Sequence, residues 1–456
     1  MSGPWTRLVS GVLFPLHERL KGHDTVRVRR WLERTQWLPP AELEALRLGR
    51  LRALLERAGA RVPYYRALFR RIGFDPGRVT SPADLARLPF LTKSLIREHA
   101  EALKAEDARG LAPFNTGGST GEPLVFWIGR ERVAHDVAAK WRATRWWGVD
   151  VGDPEIVVWG SPIELGAQDR LRELRDRLLR TRLLPAFEMS DRRVREYLEA
   201  IRRARPRMLF GYPSALAHLA RRAEAWGLRM DGLGVEVAFV TAEKLYEDDR
   251  ARIARVFGCR VANGYGGRDA GFVAHECPAG RMHITAEDLI VEIVDTDGDV
   301  LPAGETGEIV VTHLATGDFP FVRYRTGDLG ALDPEPCPCG RTLPVLKEVQ
   351  GRATDLVVAR DGTVMHALAL IYVVRAEPGI ERFRIVQESL ERTVVELVPG
   401  HGFDPACRER IRAGIAARLG AGVTVEVRTV ERIALTRSGK HRHVVSRVAP
   451  RMGAAA

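Results

Sequence analysis

The feature that most narrows the fold of this chain is a series of short apolar runs alternating with longer helix-patterned segments. Pro123–Ile128, Glu155–Trp159, Arg207–Tyr212, Val235–Val240 and Arg260–Asn263 are short and rich in β-branched and aromatic residues. Between them lie a helical stretch from about Arg130 to Trp147, an arginine-rich segment after Trp159, and a helix opening at Pro213-Ser214. Proline suits the first helical turn because its missing N–H has no partner there. Strands that alternate with helices predict a mainly parallel sheet in an α/β domain. Ligands of such sheets gather at the carboxyl ends of the strands.

The flanks read differently. Up to about residue 110 the pattern is helical, with Leu43, Leu46, Leu48, Leu51, Leu54 and Leu55 at helical spacing. Ser81-Pro82-Ala83-Asp84 and Thr92-Lys93-Ser94 are helix starts. From His283 onward, Ile290–Val294, Gly307–Thr312 and Phe321–Tyr324 are short strands separated by Asp-Gly, Pro-Ala-Gly and Thr-Gly-Asp turns, which predicts antiparallel structure in a small barrel-like subdomain. The chain starts afresh past Gly351-Arg352 with a further β/α mixture. With 456 residues it exceeds one compact core. The expected organisation is residues 1–352 as a large α/β domain (helical to about 110, α/β over about 111–282, a β subdomain over about 283–352) and residues 353–456 as a small α+β domain.

A net charge of +11 raises the question of nucleic acid. The cations, nearly all arginine, are scattered and interleaved with acids rather than blocked, so no specific nucleic-acid partner is expected. Five cysteines in so long a chain do not make a secreted disulfide framework, and no run is apolar enough to span a bilayer. The expectation is a reduced, cytoplasmic protein. The amphipathic start, Met1 to Leu20, leaves weak contact with a membrane surface open.

Chemistry concentrates first at Asn115-Thr116-Gly117-Gly118-Ser119-Thr120-Gly121-Glu122-Pro123. Glycines let backbone N–H groups face an anion, and hydroxyls add donors, so the loop suits phosphate. By itself such a loop is more often a flexible surface turn. It is not a Walker A loop, for no Gly-Lys-Ser/Thr closes it.

Four later segments change that balance, and together with them Thr116–Pro123 resembles the phosphate loop of adenylate-forming enzymes. Gly264-Tyr265-Gly266-Gly267-Arg268-Asp269 resembles their Y-G-x-T-E segment, Tyr324-Arg325-Thr326-Gly327-Asp328 matches Y-R-T-G-D, Gly351-Arg352-Ala353-Thr354-Asp355 resembles the G-R-x-D-D hinge, and Ser438-Gly439-Lys440 resembles the segment with the catalytic lysine. Val62–Arg66, Leu88–Lys93, Gly211–Ser214 and Cys337–Arg341 are similar to the phenylacetate–CoA ligase branch and its capsular-polysaccharide relatives.

The resemblance implies the acyl-CoA synthetase fold with a mobile C-terminal domain. It implies activation of a carboxylic acid, aryl or otherwise compact, by ATP with Mg²⁺, and transfer of the acyl group to coenzyme A. A carrier-protein thiol or an amine stays open as the acceptor. Thr116, Gly117, Gly118, Ser119, Thr120 and Gly121 would hold the β- and γ-phosphates, although Glu122 stands where the family has lysine. Gly264, Tyr265 and Gly266 would meet adenine, with Tyr265 stacking on it. Asp269 would help bind Mg²⁺, with a local salt bridge to Arg268 as the rival reading. Asp328 would accept both ribose hydroxyls, Arg341 would lie near the nucleotide, Lys440 would bridge phosphate and carboxylate, and Asp355 would be the hinge. Tyr212, Thr241, Ala242 and Glu243 are placed at the acid pocket by position alone. Oligomeric state, a homodimer among the options, is left open.

The cysteines form a second constellation. Cys277, Cys337 and Cys339 with His283 make a tetrahedral structural zinc set, with His275 the rival nitrogen ligand. Some relatives resembling this branch carry such a site. Cys259 and Cys407 read as core residues.

Overall fold

In the computed structural model, residues 3–115, 124–159, 170–186, 189–352, 356–362, 364–433 and 443–448 are described. They divide into two compact units, Met1–Gln350 and Gly351–Ala456.

The first unit is built on one eleven-stranded sheet. The strands are numbered in chain order, β1 (Ala112–Asn115) and β2 (Val125–Ile128) lying outside it. Within it are β3 (Glu155–Trp159), β4 (Thr181–Pro185), β5 (Met208–Gly211), β6 (Val237–Thr241), β7 (Arg260–Gly267), β8 (Gly271–Glu276), β9 (Met282–Ile284), β10 (Leu289–Val294), β11 (Gly307–His313), β12 (Phe321–Asp333) and β13 (Val345–Arg352). The order across the sheet is β10-β11-β12-β13-β9-β8-β7-β6-β5-β3-β4. β4, β3, β5, β6 and β7 pair in parallel, while β7 with β8 and β8 with β9 pair antiparallel.

Three expectations are corrected here. The strands after His283 do not close a separate barrel but continue the same sheet, because β7 returns as β8 through a tight hairpin and hands its edge to β9. The Pro123–Ile128 run does not join the parallel sheet. Its strand, β2, pairs antiparallel with Ala112–Asn115, Asn115 facing Val125, and alternates exposed Val125 with buried Phe126. That hairpin holds the two ends of the glycine-rich loop beside each other. Finally, β4 was hidden in an arginine-rich stretch whose turn at Arg180 has φ +58°, a conformation that no sequence pattern marked.

The helix Asp191–Ala204 shows how the parallel half is covered. Val194, Tyr197, Leu198 and Ile201 recur every three or four residues, so one stripe of the helix is apolar and buried on the sheet. Each such side chain contributes roughly 1.5–3 kcal/mol on burial. The Tyr197 hydroxyl finds the Pro185 carbonyl at 2.8 Å.

Buried polar contacts fix the N-terminal helices to the domain. Arg142 and Glu287, both almost wholly buried, pair at 2.7 Å, and Thr35 from the helix Thr25–Thr35 donates to the same Glu287 oxygen at 2.9 Å. Arg323, with φ +50°, donates to the Leu88 carbonyl at 2.8 Å, while the Leu91 N–H donates to the Arg323 carbonyl at 2.9 Å and the Leu91 carbonyl accepts from the Arg325 N–H at 3.0 Å. The helical start is therefore an integral layer and not an appended tail.

In the second unit β14 (Leu356–Val358) and β15 (Val364–His366) form a hairpin, and β16 (Ile380–Gln387), β17 (Arg392–Pro399), β18 (Thr424–Thr429) and β19 (Val444–Ser446) form a sheet in the order β18-β17-β16-β19. The helix Cys407–Leu419 buries Cys407, Ile411, Ile415 and Leu419 at four-residue spacing, so Cys407 is a core residue.

Candidate active site and metal centre

The carboxyl ends of β5, β6 and β7 meet at one edge of the parallel half. Thr241 lies opposite Gly264, and Tyr212 follows β5. The Trp159 and Tyr212 rings stack at 4.2 Å, making an aromatic wall. Ala242, with φ +71°, sits in the left-handed region that a side chain ordinarily avoids, a strain that clusters at functional sites. Glu243 turns back and accepts from the Ser214 N–H at 3.2 Å, so its carboxylate caps the helix Pro213–Ala225.

From β7 the chain turns through Gly266 into β8. A Cβ at Gly266 would collide with the Gly271 carbonyl oxygen, which explains the glycine there. Tyr265 at the end of this hairpin donates its hydroxyl to Asp328 Oδ2 at 2.9 Å, across 63 residues of sequence. Burial and the facing carboxylate keep that hydroxyl protonated far above its ordinary range. Asp328 is presented by a turn in which Gly327 has φ +78° and the Asp328 N–H donates to Thr326 Oγ1 at 3.0 Å. Asp269, half-buried, accepts the Tyr324 hydroxyl at 2.6 Å and the Ala270 N–H at 3.0 Å. Arg268 donates to the Asn115 carbonyl at 3.3 Å and so reaches the residue before the glycine-rich loop.

What fixes this turn has no signal in the sequence. Arg132, from the helix Arg130–Trp146, is buried and donates to the carbonyls of Arg268 at 2.9 Å and Asp269 at 2.6 Å. It also meets Asp136 at 3.4 Å. Burial works against the Asp136 carboxylate, but His313 and Arg132 outweigh it and hold it below the ordinary range. An arginine in a charged helix carries no mark of being buried, so only the packing identifies it.

Thr116, Gly117, Gly118, Ser119, Thr120, Gly121 and Glu122 lie outside the described residues, as do Asp355 and Lys440. Arg341 lies beside the cysteines. Its guanidinium lies 4.5 Å from the Trp146 ring and 4.9 Å from the Trp37 ring and donates to Gln36 at 3.2 Å. There it also stabilises the Cys339 thiolate.

Cys277, His283, Cys337 and Cys339 bring one ligand atom each within 4.8 Å of one another. Cys277 and Cys337 sulfurs are 3.6 Å apart, and His283 Nε2 is 3.2 Å from Cys339. Sulfurs around a tetrahedral zinc stand about 3.8 Å apart, so the set fits that ion. His283 Nδ1 faces the Leu343 carbonyl at 3.1 Å, which fixes the tautomer and frees Nε2 for a metal. Burial lowers His283 to about 4 and keeps it neutral, as a ligand must be. Burial and the neighbouring thiols push Cys337 up to about 12. Burial opposes ionisation of Cys339 too, but hydrogen bonds with Arg341 and the other thiols bring it below its ordinary value. A cation among them would favour the thiolates. His275 faces His283 across β8 and β9, but its ring is buried against Phe272 at 5.5 Å and lowered to about 3 by burial.

A parallel sheet with a tyrosine–aspartate pair and a second carboxylate near the carboxyl ends of its strands is the frame of a nucleotide-dependent ligase domain. Similarity to known proteins agrees. Residues 115–316 match the family described as AMP-binding enzyme, and residues 357–447 match the CapK C-terminal domain. Phenylacetate-coenzyme A ligase of Thermus thermophilus is 31% identical over 332 residues, 71% of this chain and 73% of that one. Protein CapK of Staphylococcus aureus is 23% identical over 383 residues, 82% of each. The crystal structure of 2-hydroxyisobutyryl-CoA ligase in the postadenylation state shares the fold, with a TM-score of 0.74, 23% identity and 91% of each chain covered. The chain belongs to the phenylacetate–coenzyme A ligase family of adenylate-forming enzymes.

Proposed function

We propose that this protein is an AMP-forming acid–thiol ligase that activates a carboxylic acid with ATP and passes the acyl group to coenzyme A. The observation that carries the reading is the Tyr265–Asp328 contact with Asp269 on the same hairpin turn. In the first half-reaction a carboxylate oxygen attacks the α-phosphorus of ATP and pyrophosphate leaves. In the second the thiol sulfur attacks the acyl carbon, its proton is lost, and AMP leaves with the bonding electrons.

Asp328 accepts the ribose hydroxyls and Tyr265 holds its carboxylate in place while presenting a ring face to adenine. Asp269 would offer hard oxygen to Mg²⁺, which when bound would neutralise phosphate charge. Thr116, Ser119 and Thr120 with their glycines grip the outer phosphates, and Lys440 meets the attacking carboxylate. Asp355 serves as the hinge of the C-terminal domain. Tyr212 with Trp159, Thr241 and Ala242 line the acid pocket. Their aromatic wall favours an aryl or compact apolar acid. Glu243 serves by holding the helix start, since a carboxylate facing a carboxylate substrate would repel it. Acid-dependent ATP–pyrophosphate exchange over a panel of aryl and short-chain acids tests the reading, with thioester formation scored separately for coenzyme A and for carrier-protein or amine acceptors. A folded protein that exchanges pyrophosphate with none of them ends the proposal.

The cysteine–histidine cluster takes structural zinc. Purified protein is expected to hold about one zinc per chain. Cys337→Ser is expected to release it and lower the melting temperature by several degrees. Full zinc retention in that variant would refute the assignment.

A further inference from the structure

Five of the eleven large apolar side chains exposed among the described residues lie within the first twenty positions: Trp5, Leu8, Val12, Leu16 and Leu20. Val12 and Leu16 are 54% exposed and Leu20 is 80% exposed. All five sit on one nearly continuous helical run, Pro4–Leu8, then a π-helical turn Val9–Leu13, then Phe14–Leu20. From Leu8 the stripe steps by four, which drifts about 40° per step around an α-helix. The wider π turn in the middle opposes that drift and keeps the residues on one side.

The segment is not loose. Its other face buries Val9 and Phe14 against Trp141 and Val151, and Thr6 donates to Asp153 at 2.8 Å. Trp5 donates its indole N–H to the Leu178 carbonyl at 3.2 Å, so exposed Leu178 extends the stripe. The apolar ridge therefore stands preformed on a packed helix.

The charge around it has one sign. Arg7, Arg19 and Lys21 are exposed on the run. Glu18, the one carboxylate of the run, is buried beneath and bonded to Thr25 at 2.5 Å. The nearby acids Asp24 and Asp176 are paired with Arg27 and Arg175. A second copy of this face would set Arg7, Arg19 and Lys21 against the same cations, with no unpaired carboxylate among the described residues of the run to receive them. Apolar side chains beside unopposed cations complement a bilayer with anionic headgroups. No helix among the described residues is long and apolar enough to cross a membrane, so the segment would lie in the interface.

We infer that the face formed by Trp5, Leu8, Val12, Leu16 and Leu20, flanked by Arg7, Arg19 and Lys21, docks the enzyme on an anionic lipid surface. The inference is independent of the ligase reading. The full chain is incubated with vesicles of phosphatidylcholine and phosphatidylglycerol, about three to one, and with phosphatidylcholine alone, and bound protein is separated by flotation. Binding to the anionic vesicles, weakened by salt, is expected. Arg19→Gln with Lys21→Gln weakens it about 25-fold, about fivefold per cation. Leu8→Gln with Leu16→Gln weakens it at least about tenfold. Ile72→Gln, at an exposed apolar site elsewhere, leaves it unchanged. Circular dichroism and thermal unfolding confirm that each variant is folded. Absence of wild-type binding, binding indifferent to both double variants, or a wild-type dimer in gel filtration that Leu8→Gln with Leu16→Gln dissociates would each overturn the inference.

Discussion

Replacing Asp328 with alanine is expected to lower the kcat/KM for ATP in pyrophosphate exchange by about a hundred- to a thousandfold. The substitution deletes the carboxylate proposed to accept two ribose hydroxyls, and charge-assisted hydrogen bonds are worth roughly 1.5–3 kcal/mol each. It also takes from the Tyr265 hydroxyl the carboxylate it donates to at 2.9 Å, leaving Thr326 as its neighbour. Tyr265→Phe separates the two effects. It keeps the ring and the carboxylate but removes the orienting bond, and is expected to cost about tenfold or less. The fold does not hinge on Asp328, because the Thr326 hydroxyl donates to the Ile309 carbonyl at 2.7 Å and holds that stretch of β12 to β11 without it. An Asp328→Ala enzyme with unaltered exchange kinetics would remove the nucleotide assignment while leaving family membership intact.

Arg142→Met is expected to destabilise the large unit by about 3–5 kcal/mol, the usual cost of removing one partner of a buried ion pair. Arg142 and Glu287 are among the most buried charged side chains of the chain, and Thr35 adds a third contact from the N-terminal helices. Burial raises the Glu287 carboxyl above its ordinary value even with Arg142 beside it. Without the guanidinium the rise is larger. A carboxyl whose folded pKa exceeds its unfolded one binds more protons when folded, so stability falls as pH rises through that window. The deficit of Arg142→Met is therefore expected to shrink towards mildly acidic pH, and Glu287→Gln on the same background is expected to recover part of it at neutral pH. Thermal unfolding of the wild type, Arg142→Met and the double variant across pH measures both. A deficit that grows on acidification would show that lost packing, and not the stranded carboxylate, dominates.

Much of the site was legible before any fold was known. Tyr265, Asp269 and Asp328 sit in short motifs whose residue types suit the chemistry proposed for them, and those motifs stand in order along the chain. The parallel strands at 155, 208, 237 and 260 were legible because a buried strand needs a short apolar run and a crossover needs a helix. The Cys277, His283, Cys337 and Cys339 set was legible as a donor list.

What the sequence determined by itself was composition at each position: which residues can accept a ribose, ligate a metal or line a sheet. What the tertiary structure decided was company. It chose His283 over His275 by placing one on β9 facing the cysteines and the other against Phe272. It moved Arg341 to the tryptophan sandwich beside the cysteines, gave Glu243 a helix to cap, and brought Arg132 under the Arg268–Asp269 turn. It joined the late strands to the parallel sheet instead of closing them on themselves. The physical reason is common to all of these. A side chain's chemistry is local, but its burial, its partners and hence its pKa are set by residues tens to hundreds of positions away, which the folded sheet alone brings within bonding distance.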